Sequence, residues 1–281
     1  MSVATIAAVA PMLRMQALEK TFFPGTSDEV HALRGVNLDI PRGEWVVVLG
    51  GNGSGKSTLQ NAIAGTFIAD RGSIWVDGTD ITNWPEHRRA RLVGRVFQNP
   101  FSGTAPTMSI AENFALAAGR GRRRGFAPAL ARKFLPELRE RVGQLRMGLH
   151  DRLDSPIGTL SGGQRQALTL LMATWREPSV LLLDEHTAAL DPKSAEKVSA
   201  LTADIVGRQR LTTLMVTHSM QQAVALGDRI IMMHRGQVLH DVRGPAKRRL
   251  RIEDLLARFE DARRRDLLDE SAADLLAATY V

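Results

Sequence analysis

The 281-residue chain contains no cysteine, which excludes disulfides and thiolate metal sites and leaves the interior to be held by packing alone. The same absence fits a reducing compartment. No apolar run approaches the ~20 residues needed to cross a bilayer, so any membrane role is expected to be peripheral. Internal repeats and low-complexity tracts are also missing. The apolar segment 2–12 lacks the basic flank of a secretion signal and runs straight into the strand-like 13–19, so it is read as a frayed start.

What is present is ordinary for a soluble globular chain of one large domain or one domain with appendages, with 44% hydrophobic and 24% charged residues. The net charge of +7 invites a nucleic-acid reading, so its location matters. Between Gly119 and Arg152 stand ten basic and three acidic residues, a surplus that equals the whole excess, whereas the tail from Gly244 holds eight of each sign. The basic character is therefore local.

Segments 13–22 and 30–40 alternate apolar and polar residues around a turn-rich 24–28, the pattern of two antiparallel strands. Segment 45–49 is a continuous apolar strand leading into a glycine loop, and 56–64 has the pattern of the helix that follows. Buried strands are expected at 93–97, 180–183 and 213–216, with helices between them, which implies a mostly parallel sheet covered on both faces. Segment 109–175 shows almost no strand pattern and is read as a helical insertion. Beyond His218 the pattern predicts a short helix, a hairpin over 228–242 turning at Arg235-Gly236, and a helical tail. The apolar residues of that tail, Leu255, Leu256, Phe259, Leu267, Leu268, Leu275 and Leu276, are expected to pack back on the core.

Gly50-Gly51-Asn52-Gly53-Ser54-Gly55-Lys56-Ser57 matches G-x-x-x-x-G-K-[ST] in full and in the required strand, loop and helix setting. Its glycines let backbone N–H groups wrap phosphates, Lys56 reaches the outer pair, Ser57 is placed to ligate Mg²⁺, and Thr58 assists from the helix start. A second glycine turn, Leu160-Ser161-Gly162-Gly163-Gln164, opens a helix and aims donors and a positive dipole end at an anion, yet it has no lysine of its own. Asp184 and Glu185 end an apolar strand, where an open parallel sheet presents ligand-contacting groups. Asp184 is expected to hold Mg²⁺, directly or through water, and Glu185 to polarise an attacking water. Two solvated acids at a strand end are the plain alternative, which the apolar strand before them and the phosphate loop disfavour.

A full phosphate loop, then LSGGQ, then a strand ending in Asp-Glu resembles the ATP-binding-cassette (ABC) ATPases. The resemblance implies an α/β P-loop NTPase fold with a mostly parallel core sheet, an N-terminal antiparallel β subdomain and an inserted helical subdomain. It implies a flexible N-terminus over 1–12, an ATPase domain over 13–243 with the helical insertion at about 100–176, and a C-terminal helical tail over 244–281. Several roles come from the resemblance itself. Gln98 is similar to the Q-loop glutamine that approaches Mg²⁺ and water, and His218 to the switch histidine that bonds the γ-phosphate. Ala188-Ala189-Leu190-Asp191 resembles the D-loop that crosses to the partner subunit. Phe22 takes the place of the aromatic that stacks on adenine, and the adjacent Phe23 leaves an exchange of the two open. His186 stands where the family usually has proline; a structural role at that turn and tuning of Glu185 are both open. Segments 97–110 and 160–192 are similar to the ATPases of bacterial importers for tryptophan, tyrosine or related solutes.

The implied function is ATP hydrolysis that powers import of an amino acid or similar solute, from the cytoplasmic face of the inner (cell) membrane, with the protein bound peripherally. ATP and Mg²⁺ are the implied cofactors. Implied partners are a second copy or paired ATPase subunit, transmembrane permease subunits and, indirectly, an extracytoplasmic solute-binding protein, with no nucleic acid expected. Two copies closing head to tail would cover the ATP on Lys56 and Ser57 of one with Ser161 and Gly163 of the other. The arginine-rich 120–124 is either a solvated loop or a contact to anionic headgroups. An exporter ATPase, a soluble ABC ATPase acting on nucleic acid and an ATP-dependent regulator are the competing readings. The soluble type usually carries two cassettes or a long coiled coil, and neither is present.

Overall fold

The computed structural model describes residues 10–121 and 134–261. Alternating polarity makes β1 (Leu13–Phe22) and β2 (Val30–Ile40) an antiparallel pair, with Leu13 opposite Ile40 and Phe22 opposite Val30. The unbroken apolar run of β3 (Trp45–Leu49) is buried at every residue and passes through the glycine loop into α1 (Lys56–Ala64). At the end of α1 the buried Arg89 donates to the carbonyls of Ala62 and Ile63, closing the negative pole of the helix with a cation.

β4 (Arg71–Val76) and β5 (Thr79–Asp80) join β1 and β2, so the first sheet runs β2-β1-β4-β5 and has four strands where the sequence pattern predicts two. Half of β4 is exposed and it begins Arg-Gly-Ser, so its alternation is too weak to read without its partner β1. The chain continues through α2 (Glu86–Arg89) and β6 (Val93–Val96), which ends one residue short of expectation. Then come α3 (Ile110–Ala118), α4 (Phe134–Gly143) and α5 (Gly162–Thr174), the described helices of the insertion. β7 (Val180–Asp184), α6 (Pro192–Gln209), β8 (Thr212–Val216), α7 (Met220–Ala225), β9 (Arg229–His234), β10 (Gln237–Arg243) and α8 (Gly244–Arg249) follow, and the described chain ends in helix over 252–261.

The main sheet has the order β10-β9-β3-β8-β7-β6 and is parallel except at the β9–β10 hairpin. Because successive strand residues face opposite ways, Val46, Val48, Leu182 and Leu214 share a cluster with α1 and the first sheet, while Val47, Leu49, Leu181 and Met215 share one with Leu170 and Ile205. Fully parallel strands need both faces covered, and these two clusters supply the cover. A third cluster, with Phe114 edge-on to Trp175 at 5.3 Å, holds the insertion together.

At the ends of the described chain, Met12 is already buried in the first cluster, ahead of the boundary expected at residue 13. Leu250 and Leu255 are buried against the second cluster and Phe259 packs on it, as the helical spacing predicts, whereas Leu256 faces outward. Leu267, Leu268, Leu275 and Leu276 lie outside the described residues, as do Arg122, Arg123 and Arg124.

Candidate functional site

The phosphate loop is shaped by where a side chain would not fit. At Gly50 a Cβ would meet the Met233 carbonyl at 2.5 Å, and Gly55 combines φ 98° with a would-be Cβ 2.5 Å from the Ala32 carbonyl. Only glycine suits that position. Lys56 Nζ donates to the carbonyls of Gly50 at 2.9 Å and Gly51 at 2.8 Å, so the ammonium is already folded over the loop. Burial lowers its pKa, and the charges of Glu185 and Asp184 oppose that shift. An ammonium held by neutral carbonyls beside a ring of backbone donors can exchange those bonds for phosphate oxygens.

Beside the loop opens a pocket of about 280 Å³ lined by Phe22, Phe23, Val30, Ala32 and residues 53–58. The ring of Phe22 is edge-on to Phe67 at 5.5 Å, whereas Phe23 is 66% exposed at φ 52°. Both aromatics of the open pair therefore line the pocket, and Phe23 presents the freer face for stacking.

Parallel strands end on the same edge of the sheet, which brings Asp184, the last residue of β7, and Glu185 just after it to the edge where His218 follows β8. Glu185 Oε2 lies 3.2 Å from His218 Nδ1, and the Glu185 amide donates to the Val216 carbonyl at 2.9 Å. Glu185 adopts φ 41°, an uncommon conformation for a side-chain-bearing residue. Burial raises the pKa of Asp184, opposed chiefly by Arg95, whose Nη2 stands 3.4 Å from Asp184 Oδ2. Among the described residues no group of three or more His, Cys, Asp or Glu could hold a metal. The hard oxygens of Ser57 and Asp184 nonetheless suit Mg²⁺, which takes one or two protein oxygens and completes its shell with phosphate and water. Gln98 is exposed just past β6, and Gln166 Nε2 anchors its approach by donating to the Phe97 carbonyl at 3.0 Å.

His186 is 2% exposed, with Nε2 2.9 Å from Thr202 Oγ1. Thr202 gives its own proton to the Val198 carbonyl at 2.8 Å, so Nε2 must be the donor in this bond. Burial pulls its pKa down to about 4. Of the two roles left open by the sequence, the structural one fits this neutral ring, and a charge that could tune Glu185 is not available near neutral pH.

The second glycine turn is braced differently. Ser161 caps α5: its Oγ accepts from the Gln164 amide while Gln164 Oε1 accepts from the Ser161 amide. Leu160 is buried in the insertion cluster. Gly163 is buried, and a Cβ there would lie 2.8 Å from the side chain of Ser194 on α6; at Gly162 it would lie 3.3 Å from Leu190. Asp191 caps α6 by accepting from the Ser194 amide at 3.0 Å, so the D-loop-like turn packs on LSGGQ within one chain. None of residues 160–164 lines the pocket at the phosphate loop.

Three contributors escape motif reading. Arg95 interrupts an apolar strand beside Asp184, a charge in a buried β-strand that the sequence does display. Arg165, 3% exposed, donates to the carbonyls of Ile157, Gly158 and Leu160 and stacks on Phe101 at 3.6 Å, fixing the approach to LSGGQ. Gln222 links Thr187 to Thr217 and carries no recognisable signal.

The family model described as ABC transporter matches residues 33–188. A tyrosine transport ATP-binding protein of Clostridioides difficile (strain R20291) is 43% identical over 252 residues, covering 89% of this chain and 100% of that protein. The sulfate/thiosulfate import ATP-binding protein CysA of Acinetobacter baylyi is 39% identical over 213 residues, covering 74% of this chain and 57% of that protein. Among solved structures, a dimeric ATP-binding cassette in a post-hydrolysis state with ADP and Pi matches with a TM-score of 0.70 at 27% identity, over 83% of this chain and 98% of that one.

Proposed function

The chain belongs to the ABC transporter family as an ATP-binding, ATP-hydrolysing subunit, and from that premise we propose that it drives import of an amino acid or a chemically similar solute. The tyrosine transport relative, matched over its whole length, supports the solute class. The proposed setting is peripheral, at the cytoplasmic face of the cell membrane; among the described residues no helix is long and apolar enough to cross a bilayer. Proposed partners are a second ATPase subunit, transmembrane permease subunits and, through these, an extracytoplasmic solute-binding protein.

One observation carries the catalytic part: Glu185 and His218 meet at 3.2 Å on the sheet edge, and Glu185 also acts on the charge of Lys56. In the proposed mechanism the 53–58 amides and Lys56 cradle the phosphates and spread their charge, while Phe22 and Phe23 offer an adenine face. Ser57 and Asp184 would hold Mg²⁺, with Gln98 near it. The metal would neutralise charge developing on the phosphate oxygens. Glu185 accepts the proton of the attacking water, and His218 holds the Glu185 carboxylate in place and bonds the γ-phosphate. Ser161 and Gly162, exposed at the start of α5, face the nucleotide of the partner subunit in place of the expected pair Ser161 and Gly163, because Gly163 is buried against Ser194; closure then depends on a γ-phosphate that hydrolysis removes.

Glu185→Gln is expected to lower ATP hydrolysis by about 10²- to 10⁴-fold while leaving nucleotide binding intact. Vesicles holding this subunit and a permease encoded beside it should take up the solute with ATP on the side of this subunit. Hydrolysis unchanged in Glu185→Gln overturns the catalytic assignment, and solute moving the opposite way overturns import.

A further inference from the structure

Gln222, on α7, uses both ends of one carboxamide to join the two loops that carry Glu185 and His218. Its Nε2 donates to Thr187 Oγ1 at 2.8 Å, and its Oε1 accepts from Thr217 Oγ1 at 3.0 Å. Thr187 follows Glu185 by two residues and Thr217 directly precedes His218; they are 6% and 3% exposed. The Ser219 amide donates to the same Thr217 hydroxyl at 3.1 Å, and Ser219 Oγ accepts from the Gln222 amide at 3.3 Å, so the start of α7 is folded onto this bridge. Every hydrogen-bonding role matches: Thr217 has a proton to give and Thr187 a lone pair to offer.

The bridge matters because of what it holds. Glu185 sits at φ 41°, and a residue in that region persists only where its surroundings over-determine it. On one side, His186 ties the same turn to α6 through Thr202. On the other, Gln222 ties it to the His218 loop. With both fixed, the two loops from which Glu185 and His218 reach each other are held by bonds behind the site, and the contact of the two side chains, with His218 66% exposed, is made on top of that frame.

We propose that Gln222 is a positioning residue for ATP hydrolysis, acting through Thr187 and Thr217 to hold Glu185 and His218 at their working separation. The proposal rests on the reading that those two residues act in hydrolysis. Gln222 does not line the pocket at the phosphate loop, so it should govern turnover and leave nucleotide binding alone.

Purified full-length protein is assayed with Mg·ATP as wild type, Glu185→Gln, Gln222→Ala, Gln222→Glu and Thr187→Val. Gln222→Ala should lower kcat by about 10- to 100-fold with KM for ATP unchanged within about twofold. Gln222→Glu should recover kcat to within about threefold of wild type, because both threonine hydroxyls can donate to a carboxylate. Thr187→Val, which cuts one arm only, should show a partial loss of kcat, and it serves as the reading if Gln222→Ala does not fold. Wild-type kcat in Gln222→Ala or in Thr187→Val, or equal losses in the Ala and Glu variants, overturns the bridge while Glu185→Gln remains inactive. An active Glu185→Gln overturns the catalytic reading itself, and the bridge with it.

Discussion

At the phosphate loop Gly53 and Gly55 hold φ of 73° and 98°, and around Gly51 and Gly53 a Cβ would meet nothing within 4 Å; at the LSGGQ turn Gly163 stands against Ser194 and Gly162 against Leu190. The first loop uses Gly53 and Gly55 for backbone shape and Gly50 and Gly55 for close approach to the Met233 and Ala32 carbonyls, and it leaves open space at Gly51 and Gly53. The second uses it to let α5 approach α6. The same residue type, read in sequence as a phosphate cradle in both places, is therefore explained in the first by backbone shape, packing and open space together, and in the second largely by packing behind the loop. Only Ser161 and Gly162 of the second turn are exposed, and neither lines the pocket at Lys56.

The sharpest way to break this contrast is Ser161→Arg. If the turn serves a neighbouring subunit, hydrolysis should fall by about 10²-fold or more while ATP affinity of the monomer, measured by titration calorimetry, changes less than about twofold. Equal loss of both would place the turn on its own nucleotide. The segment 185–191 joins the two regions, and its anchor is the neutral His186. With a folded pKa of about 4 against 6.5 unfolded, the unfolded chain binds more protons between these values. His186 therefore contributes full stability above pH 6.5 and loses it as pH falls toward 4, by about 3 kcal/mol in total. Urea melts across that window should flatten by that amount in His186→Leu; an unchanged slope would assign the loss to other groups. The smallest effect is expected for Gly163→Ala. Overpacking against Ser194 costs about 1–3 kcal/mol, less the roughly 1 kcal/mol of helix propensity that alanine returns. Adding Ser194→Gly should restore the melting temperature, and failure to do so would mean that Gly163 is glycine for a reason other than packing.

Much of this arrangement is legible in the residues. Trp45 to Leu49 and Val180 to Leu183 are apolar throughout because parallel strands are covered on both faces, and both are strands at those positions. The glycine spacing and Lys56 point to phosphate without any neighbour, since the requirement is local backbone geometry. β4 and β5 are not legible, because their polar, half-exposed sequence becomes strand only through pairing with β1. Gln222 is not legible either: a glutamine in a short helix acquires its role from hydroxyls 35 and 5 residues away in sequence. The unequal exposure of Phe22 and Phe23 is likewise not legible, because it comes from Phe67 engaging the Phe22 ring and leaving Phe23 exposed.

The sequence by itself determined the chemistry on offer, a phosphate loop, a pair of acids at a strand end and a histidine at the next, because each depends on residue type and short spacing. Tertiary structure alone decided that Glu185 meets His218, that His186 is neutral and structural, and that LSGGQ stands apart from the pocket of its own chain. These follow from sheet order and helix packing, which bring together residues tens of positions apart and bury some of them away from water.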